Sequence, residues 1–254
     1  MLDVSVRPDQ FRFEYGPGVV GPVTEFRSLD AIRGSLLDPL CQGPDPVYGI
    51  AMDVARESDL PSLQQRMLLY GIVVYAAGRL GQEPVRSQGH VHAIAPHSGW
   101  SPPELFEILK GRAIVYAQKT TDLDPGACVA VFANPGDKVV VPPGWAHCVI
   151  NADPANRMVF GAWCDRQYGF VYDGVRAHGG LAWFPVLTSD DRIEWRANPT
   201  YRTEKLTIHA ARPYPELDLL PDCDIYRQFV DNPESLMWIS DPARKLSIWS
   251  DFLP

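Results

Sequence analysis

Three histidines and one glutamate have the spacing of a metal-binding group. His90 and His92 lie two residues apart in a strand-like run, so both side chains leave the same face of the strand. Glu104 opens the next strand-like run, and His147 follows a Pro-Pro-Gly turn. Imidazole nitrogens and a carboxylate oxygen form a ligand set that suits a divalent transition metal, namely Fe, Mn, Ni, Co or Zn. The pattern therefore predicts one such ion, with coordination positions left open for water or substrate.

Two other residues compete for these roles. Glu107 is a rival to Glu104, but it lies three residues further along and so faces the opposite side of an alternating strand. His97 lies in the stretch 93–103 between the second histidine and the glutamate, which we expect to form a loop at the mouth of the site. A solvated loop histidine is more common than a ligand in such a place, so we favour the solvated interpretation of His97.

Short apolar runs predict an all-β protein. From Leu68 onward these runs are rich in β-branched and aromatic residues, and Gly, Pro, Asp and Asn separate them, as in a β-sandwich or barrel. Before that point we expect short helices around 28–37 and 60–67, with a strand at 46–53. We treat the chain as a single domain made of an N-terminal arm (1–68), a barrel (69–188) and a C-terminal extension (189–254). The extension is expected to pack on the barrel or across a dimer partner.

Composition excludes several classes of partner. The formal net charge is −8, which argues against nucleic-acid binding because that needs a basic face. No apolar run approaches the roughly 20 residues that span a bilayer, and no signal peptide is recognisable at the N-terminus. The five cysteines are odd in number and include no C-x-x-C pair, which argues against a disulfide framework. We therefore expect a cytoplasmic protein that binds neither membranes nor nucleic acid.

Two ordered motifs resemble those of cupins, which are double-stranded β-helix (jelly-roll) barrels. The first is HxH followed by E-x6-G, which ends at Gly111, and the second is G-x5-P-x-G-x2-H-x3-N, which runs from Gly136 to Asn151. Further segments resemble the cupin-type phosphoglucose isomerases of archaea and some bacteria. These segments are Glu25-Phe-Arg-Ser-Leu-Asp, Asp45-Pro-Val-Tyr48, Ser87-Gln-Gly-His90-Val-His92, and Tyr172 with Gly179-Gly180. The resemblance covers roughly residues 10–188.

The resemblance implies a homodimeric, metal-dependent enzyme that interconverts glucose 6-phosphate and fructose 6-phosphate. It implies that His90, His92, Glu104 and His147 hold the metal, and that Glu104 is the candidate base in one mechanism, with a metal-assisted hydride shift as the alternative. It places substrate contacts at four positions: Ser87, Gly89, Phe106 and Tyr172.

Some polar contacts of that family are replaced in this chain. Apolar or thiol side chains stand where the family has threonine, tyrosine or histidine: Val73, Phe106, Cys164 and Phe170. Ser87 can still donate a hydrogen bond to a phosphate. Arg86, Lys110 and Arg166 are candidates for the missing phosphate contacts, although surface Lys and Arg side chains are mostly solvated.

Three functions remain open at this point. The first is an isomerase of a sugar phosphate or a related sugar. The second is an Fe- or Mn-dependent cupin oxygenase or lyase that acts on a small molecule, since the same ligand set can bind O₂. The third is a non-catalytic sugar-binding cupin, because fold alone does not fix function. The upstream segments that resemble the isomerases favour the first.

Overall fold

A computed structural model of the chain describes residues 2–7, 11–202 and 205–254. The first ten strands in this part of the chain are β1 (Val4–Val6), β2 (Phe13–Tyr15), β3 (Val19–Val20), β4 (Glu25–Arg27), β5 (Tyr48–Met52), β6 (Ala55–Arg56), β7 (Leu68–Tyr75), β8 (Arg79–Leu80), β9 (Glu83–Pro84) and β10 (Val91–His92). The later strands are β11 (Glu104–Lys110), β12 (Ala113–Gln118), β13 (Cys128–Ala133), β14 (Lys138–Val141), β15 (Ala146–Asn151), β16 (Met158–Asp165), β17 (Phe170–Val171), β18 (Trp183–Leu187), β19 (Ile193–Ala197) and β20 (Leu206–Ala210).

The helices are short and lie outside the main sheets. They are α1 (Leu60–Gln65), α2 (Asp173–Ala177), α3 (Ile225–Asp231) and α4 (Leu246–Trp249). Single 3₁₀ turns occur at Arg33–Ser35, Glu57–Asp59, Pro215–Leu217, Pro233–Leu236 and Pro242–Lys245. No helix among the described residues is both long enough and apolar enough to cross a membrane.

Two sheets form the body of the molecule, and the predicted all-β cupin jelly roll is confirmed. One sheet has six strands in the order β14-β11-β16-β7-β5-β4, and the other has four in the order β15-β12-β13-β20. Residues 85–92 run along the free edge of β15, where His90 and His147 exchange backbone hydrogen bonds of 3.1 and 2.9 Å. Strand order is far from sequence order in both sheets, as expected for crossing jelly-roll connections.

Side chains along β12 point alternately to the two faces of its sheet, and each face is covered by an apolar cluster. Val115 and Ala117 point into the apolar core shared by both sheets, whereas Ile114 and Tyr116 point away from it into a second apolar cluster. The β18–β19 hairpin contributes to that second cluster, with the Trp195 ring 5.6 Å from the ring of Tyr116. Because both faces of β12 are covered, the strand is buried along its whole length.

The N-terminal predictions are partly confirmed. Helix 60–67 appears as α1, and strand 46–53 appears as β5. The prediction of a helix at 28–37 is wrong, because this stretch contains only one 3₁₀ turn, at Arg33–Ser35. Ser28 does form a cap-like contact at the start of this stretch, since its Oγ accepts a 3.3 Å hydrogen bond from Ala31 N. A single cap does not offset the cost of nucleating a short helix that contains Gly34.

The C-terminal residues pack against the outer face of the six-stranded sheet. The indole of Trp163 donates a 3.1 Å hydrogen bond to Ile225 O, and the ring of Tyr226 stacks on it at 5.6 Å. Earlier in the same C-terminal segment, β20 pairs in parallel with β13 of the four-stranded sheet. The division of the chain at 68 and 188 stays a prediction, and residues 1, 8–10 and 203–204 of its outer segments lie outside the described residues.

A buried ion pair anchors the segment that leads into the first two histidines. Arg86 donates to Glu83 Oε1 at 2.7 Å and to Ser35 O at 2.6 Å, while Leu37 N donates to Glu83 Oε2 at 2.7 Å. Both charged side chains are at most 2% exposed. A buried pair of this kind is satisfied only while both partners are present.

We expect Glu83→Ala to lower the free energy of unfolding by about 3–5 kcal/mol, because it leaves the Arg86 charge buried without its partner. Urea denaturation monitored by tryptophan fluorescence measures this value. The matched control is Asp190→Ala, which breaks an exposed pair with Arg192 and should leave the free energy of unfolding almost unchanged. Equal losses in the two variants would contradict an anchoring role for Glu83.

Candidate metal centre

Backbone pairing brings the four predicted ligands to one end of the barrel. His92 is held in β10, His90 pairs with His147 across the β15 edge, and Glu104 begins β11. The turn before β15 depends on Gly144, whose φ of +77° is unfavourable for other residues. The two motifs therefore act as turns and strand ends that direct their side chains to a single point.

The ligand atoms lie close together. One donor atom from each of the four residues falls within 4.8 Å of all the others. Glu104 Oε2 is 3.0 Å from His147 Nε2 and 3.3 Å from His92 Nε2. Two atoms that are each about 2.1 Å from one ion can be at most about 4.2 Å apart, so only a small contraction is required. The prediction that these four side chains converge is confirmed.

Hydrogen bonds fix which ring nitrogens face the centre. The Nδ1 atom of His92 lies 2.9 Å from Pro102 O, and that of His147 lies 3.1 Å from Trp145 O. A carbonyl oxygen only accepts, so each Nδ1 carries its proton and each Nε2 keeps a lone pair in the neutral ring. The Nε2 atoms of His90 and His92 are buried without a hydrogen-bond partner among the described residues. Lone pairs that converge with a carboxylate need a cation between them, and this fits a metal ion.

The charges of the group support the same interpretation. Burial acts to raise the pKa of Glu104, but the His147 and His92 rings, whose Nε2 atoms lie 3.0 and 3.3 Å from its Oε2, outweigh burial and hold the pKa well below its ordinary value. Burial, together with the neighbouring His147 and His92, keeps the pKa of His90 well below its usual range. At neutral pH the group thus contains an ionised carboxylate and at least one neutral imidazole, which are the forms that bind a metal.

The Cys164 thiol is hydrogen-bonded to the second carboxylate oxygen of Glu104. Its Sγ lies 3.2 Å from Glu104 Oε1, and the thiol donates because burial raises its pKa well above the ordinary value. One carboxylate oxygen therefore faces the histidines while the other is held by the thiol. This contact was missed in the sequence, where Cys164 stood out only as a replacement.

The two competing residues lie elsewhere. Glu107 faces the outer side of β11, as predicted, where its Oε2 accepts a 2.9 Å hydrogen bond from Ile225 N. His97 is not part of the group, but it is not simply solvated either. Its Nε2 lies 3.2 Å from the buried Asp165 carboxylate, and its Nδ1 is 3.0 Å from Gln167. These contacts tie the 93–103 loop to the end of β16.

A small cavity adjoins the four-residue group. The cavity is about 60 Å³ and is lined by His90, Glu104 and His147 together with all four of the predicted substrate contacts: Ser87, Gly89, Phe106 and Tyr172. That volume holds a few water molecules, so side chains at the mouth must move to admit a larger ligand. The substrate-binding roles of the four residues stay predictions.

The three basic residues considered as phosphate contacts do not line this cavity. Arg86 forms the buried ion pair with Glu83, and Arg166 forms two 2.7 Å hydrogen bonds with Asp53. Lys110 is exposed at the end of β11. The cavity is lined instead by Arg27, which the sequence analysis did not single out. The available signal was its place in the Glu25-Phe-Arg-Ser-Leu-Asp segment, but only the pairing of β4 with β5 shows where that segment lies.

Comparison with solved structures gives only low overall similarity. An oxalate oxidase in complex with glycolate has a TM-score of 0.36 at 16% identity, covering 49% of this chain and 54% of that one. The oxalate decarboxylase of Bacillus subtilis also has a TM-score of 0.36, at 17% identity, and covers 52% of this chain and 28% of that one. This chain thus spans about half, or less, of those proteins. Both scores are below 0.5, so the fold assignment rests on the strand topology described above.

Comparison with protein families is decisive. The family model described as glucose-6-phosphate isomerase (GPI) matches residues 37–203, about two thirds of the chain, and runs past residue 188 where the sequence resemblance ended. A glucose-6-phosphate isomerase of Thermococcus gammatolerans is 28% identical over 182 residues, which cover 68% of this chain and 86% of that protein. With its cupin topology and the family match over more than half its length, the chain belongs to the glucose-6-phosphate isomerase family and is an isomerase.

Proposed function

We propose that this protein is a metal-dependent isomerase that interconverts glucose 6-phosphate and fructose 6-phosphate. The observation that carries the proposal is the convergence of three imidazoles and one carboxylate beside a cavity, in a member of this isomerase family. We propose His90, His92, Glu104 and His147 as the metal ligands. The homodimer implied by the sequence resemblance stays a prediction.

A divalent cation bound there would polarise the oxygens on C1 and C2 of the sugar as a Lewis acid. The protein's own contribution is to hold four ligands in one arrangement before substrate arrives. Backbone carbonyls orient two of the imidazoles, and the Cys164 thiol orients the carboxylate. Apolar neighbours such as Phe106 exclude water from the reacting carbons, which strengthens each electrostatic interaction at the centre.

Glu104 is also placed to move a proton between C1 and C2, because it lines the cavity that the substrate would enter. Its pKa is held well below the ordinary value, so it is ionised at neutral pH but is a weak base. Ligation and proton transfer thus make opposite demands on this carboxylate. A hydride shift between the two carbons would need no such base. Replacing the Glu104 carboxylate with the amide of glutamine distinguishes its role as a metal ligand from its role as a base.

We expect His147→Ala to abolish metal retention, and His90→Ala to do the same. Loss of one imidazole should weaken binding by more than the roughly 10–100-fold cost of losing an outer hydrogen-bond partner. Plasma mass spectrometry of protein after gel filtration measures the metal content per chain. His97→Ala is the control and should retain the wild-type content. Metal retained by His147→Ala at the wild-type level would contradict the assignment.

Chelator-treated protein should gain isomerase activity when it is reconstituted with at least one of Fe, Mn, Ni, Co and Zn, each tested separately. The assay converts fructose 6-phosphate to glucose 6-phosphate and detects the product through its dehydrogenase. The protein without added metal should be inactive, because the described residues that line the cavity include no comparable Lewis acid. No turnover with any metal, or oxygen consumption in place of isomerisation, would contradict the proposal.

Glu104→Gln should keep part of the metal while lowering kcat per bound ion by roughly 100-fold or more, the usual contribution of a positioned base. The amide keeps an oxygen ligand but cannot accept the substrate proton. Metal content and kcat are measured on the same preparation. If the two fall in equal proportion, Glu104 acts as a ligand only.

A further inference from the structure

We propose, on the basis of the function above, that Arg27 binds the phosphate group of the substrate and so selects phosphorylated over unphosphorylated sugars. Arg27 is the one Lys or Arg side chain among the described residues that line the cavity. A phosphate dianion that approaches a protein of net charge −8 needs a local positive partner. Arg27 is placed to supply it.

The guanidinium has unused hydrogen-bonding capacity. Its Nε atom is buried and has no hydrogen-bond partner among the described residues. Its Nη2 atom lies 3.2 Å from Glu25 Oε1, but the Glu25 side chain is 68% exposed, and exposed pairs of this kind contribute little. A buried, unpaired donor on a permanent cation is costly unless an anion completes it.

Two hydroxyl groups surround the same position. Arg27 pairs with Tyr48 in the register of β4 and β5, and its charge acts on the phenol groups of both Tyr48 and Tyr172. Burial raises the pKa of Tyr48 to about 12 although the Arg27 charge opposes the rise. The phenol therefore keeps its proton at neutral pH and can donate to an anion beside the guanidinium.

Two aromatic walls connect Arg27 with the metal centre. On one side the Tyr172 ring lies 6.1 Å from the ring of His90. On the other side successive ring contacts of 5.1–6.0 Å lead across the cavity through Tyr48, Tyr75, Phe160, Phe106 and His147. Arg27 and the ligand group thus line one cavity, with aromatic rings between them.

Arg27 and the ligand group differ in exposure. The Arg27 side chain is 28% exposed, whereas that of Glu104 is 10% exposed. A substrate that enters with its carbonyl end first would therefore leave its terminal phosphate near Arg27. Val73, which also lines the cavity, has no donor to offer, whereas the Ser87 hydroxyl, which accepts a 3.2 Å hydrogen bond from Val149 N, keeps its own proton for donation.

The test compares Arg27→Gln with wild type in the metal-loaded full chain. We expect kcat/KM for fructose 6-phosphate to fall roughly 10–100-fold, as for the loss of a hydrogen bond to a charged group. The kcat/KM for unphosphorylated fructose should change less than about twofold, because Arg27→Gln leaves the metal ligands unchanged. Arg27→Lys keeps the charge and should recover part of the loss. The control is Arg166→Gln, whose partner Asp53 lies outside the cavity, and it should behave as wild type.

A direct binding measurement separates this inference from the proposed isomerisation. Inorganic phosphate is titrated calorimetrically into wild type, Arg27→Gln and Arg166→Gln, each shown to be folded by its thermal transition. We expect the Kd to rise at least about 10-fold in Arg27→Gln alone, even if the wild type isomerises no sugar. Equal phosphate binding by Arg27→Gln and wild type would overturn the role of Arg27. An absence of phosphate binding to wild type would overturn it as well.

Discussion

Three imidazole nitrogens and a carboxylate oxygen share one small, buried space, and their lone pairs point toward each other. In water each group would be solvated separately, but here the Nδ1 protons of His92 and His147 are already committed to backbone carbonyls. The ionised Glu104 is 10% exposed, so solvent compensates little of its charge. A cation at the centre satisfies all four groups at once, and most of the surrounding fold can be understood as the means of keeping them together.

Contacts on the far sides of the sheets hold this arrangement from outside the cavity. Glu107 and Trp163 bind the backbone of Ile225 in α3, which fixes the outer faces of β11 and β16. Those same strands present Glu104 and Cys164 to the interior. On the opposite sheet the Glu83–Arg86 pair anchors the segment that carries the first two histidines. The ligands are therefore positioned by polar contacts that never reach the metal centre, as functional sites on rigid elements require.

Sequence alone predicted the four converging ligands and the all-β fold, because turn residues and strand alternation act locally. The His-x-His pair, the Pro-Pro-Gly turn and a glutamate at a strand start are visible without a structure. Arg27 was missed because its place in the cavity depends on strand pairing with Tyr48, some twenty residues away in sequence. Arg86 looked available because its burial depends on Glu83 and on the Ser35 carbonyl, which only the tertiary structure brings together. The failed helix at 28–37 shows the same limit, since a formed cap does not decide whether a helix continues.

X-ray absorption spectroscopy of the zinc-loaded protein identifies the atoms that surround the ion and so examines the four-ligand centre itself. We expect nitrogen and oxygen neighbours at about 2.0–2.1 Å from the zinc, with more distant scattering from three imidazole rings. A sulfur scatterer at about 2.3 Å would instead indicate that Cys164 binds the ion, in place of holding the Glu104 carboxylate. Scattering from fewer than two imidazoles would contradict the proposed metal centre altogether.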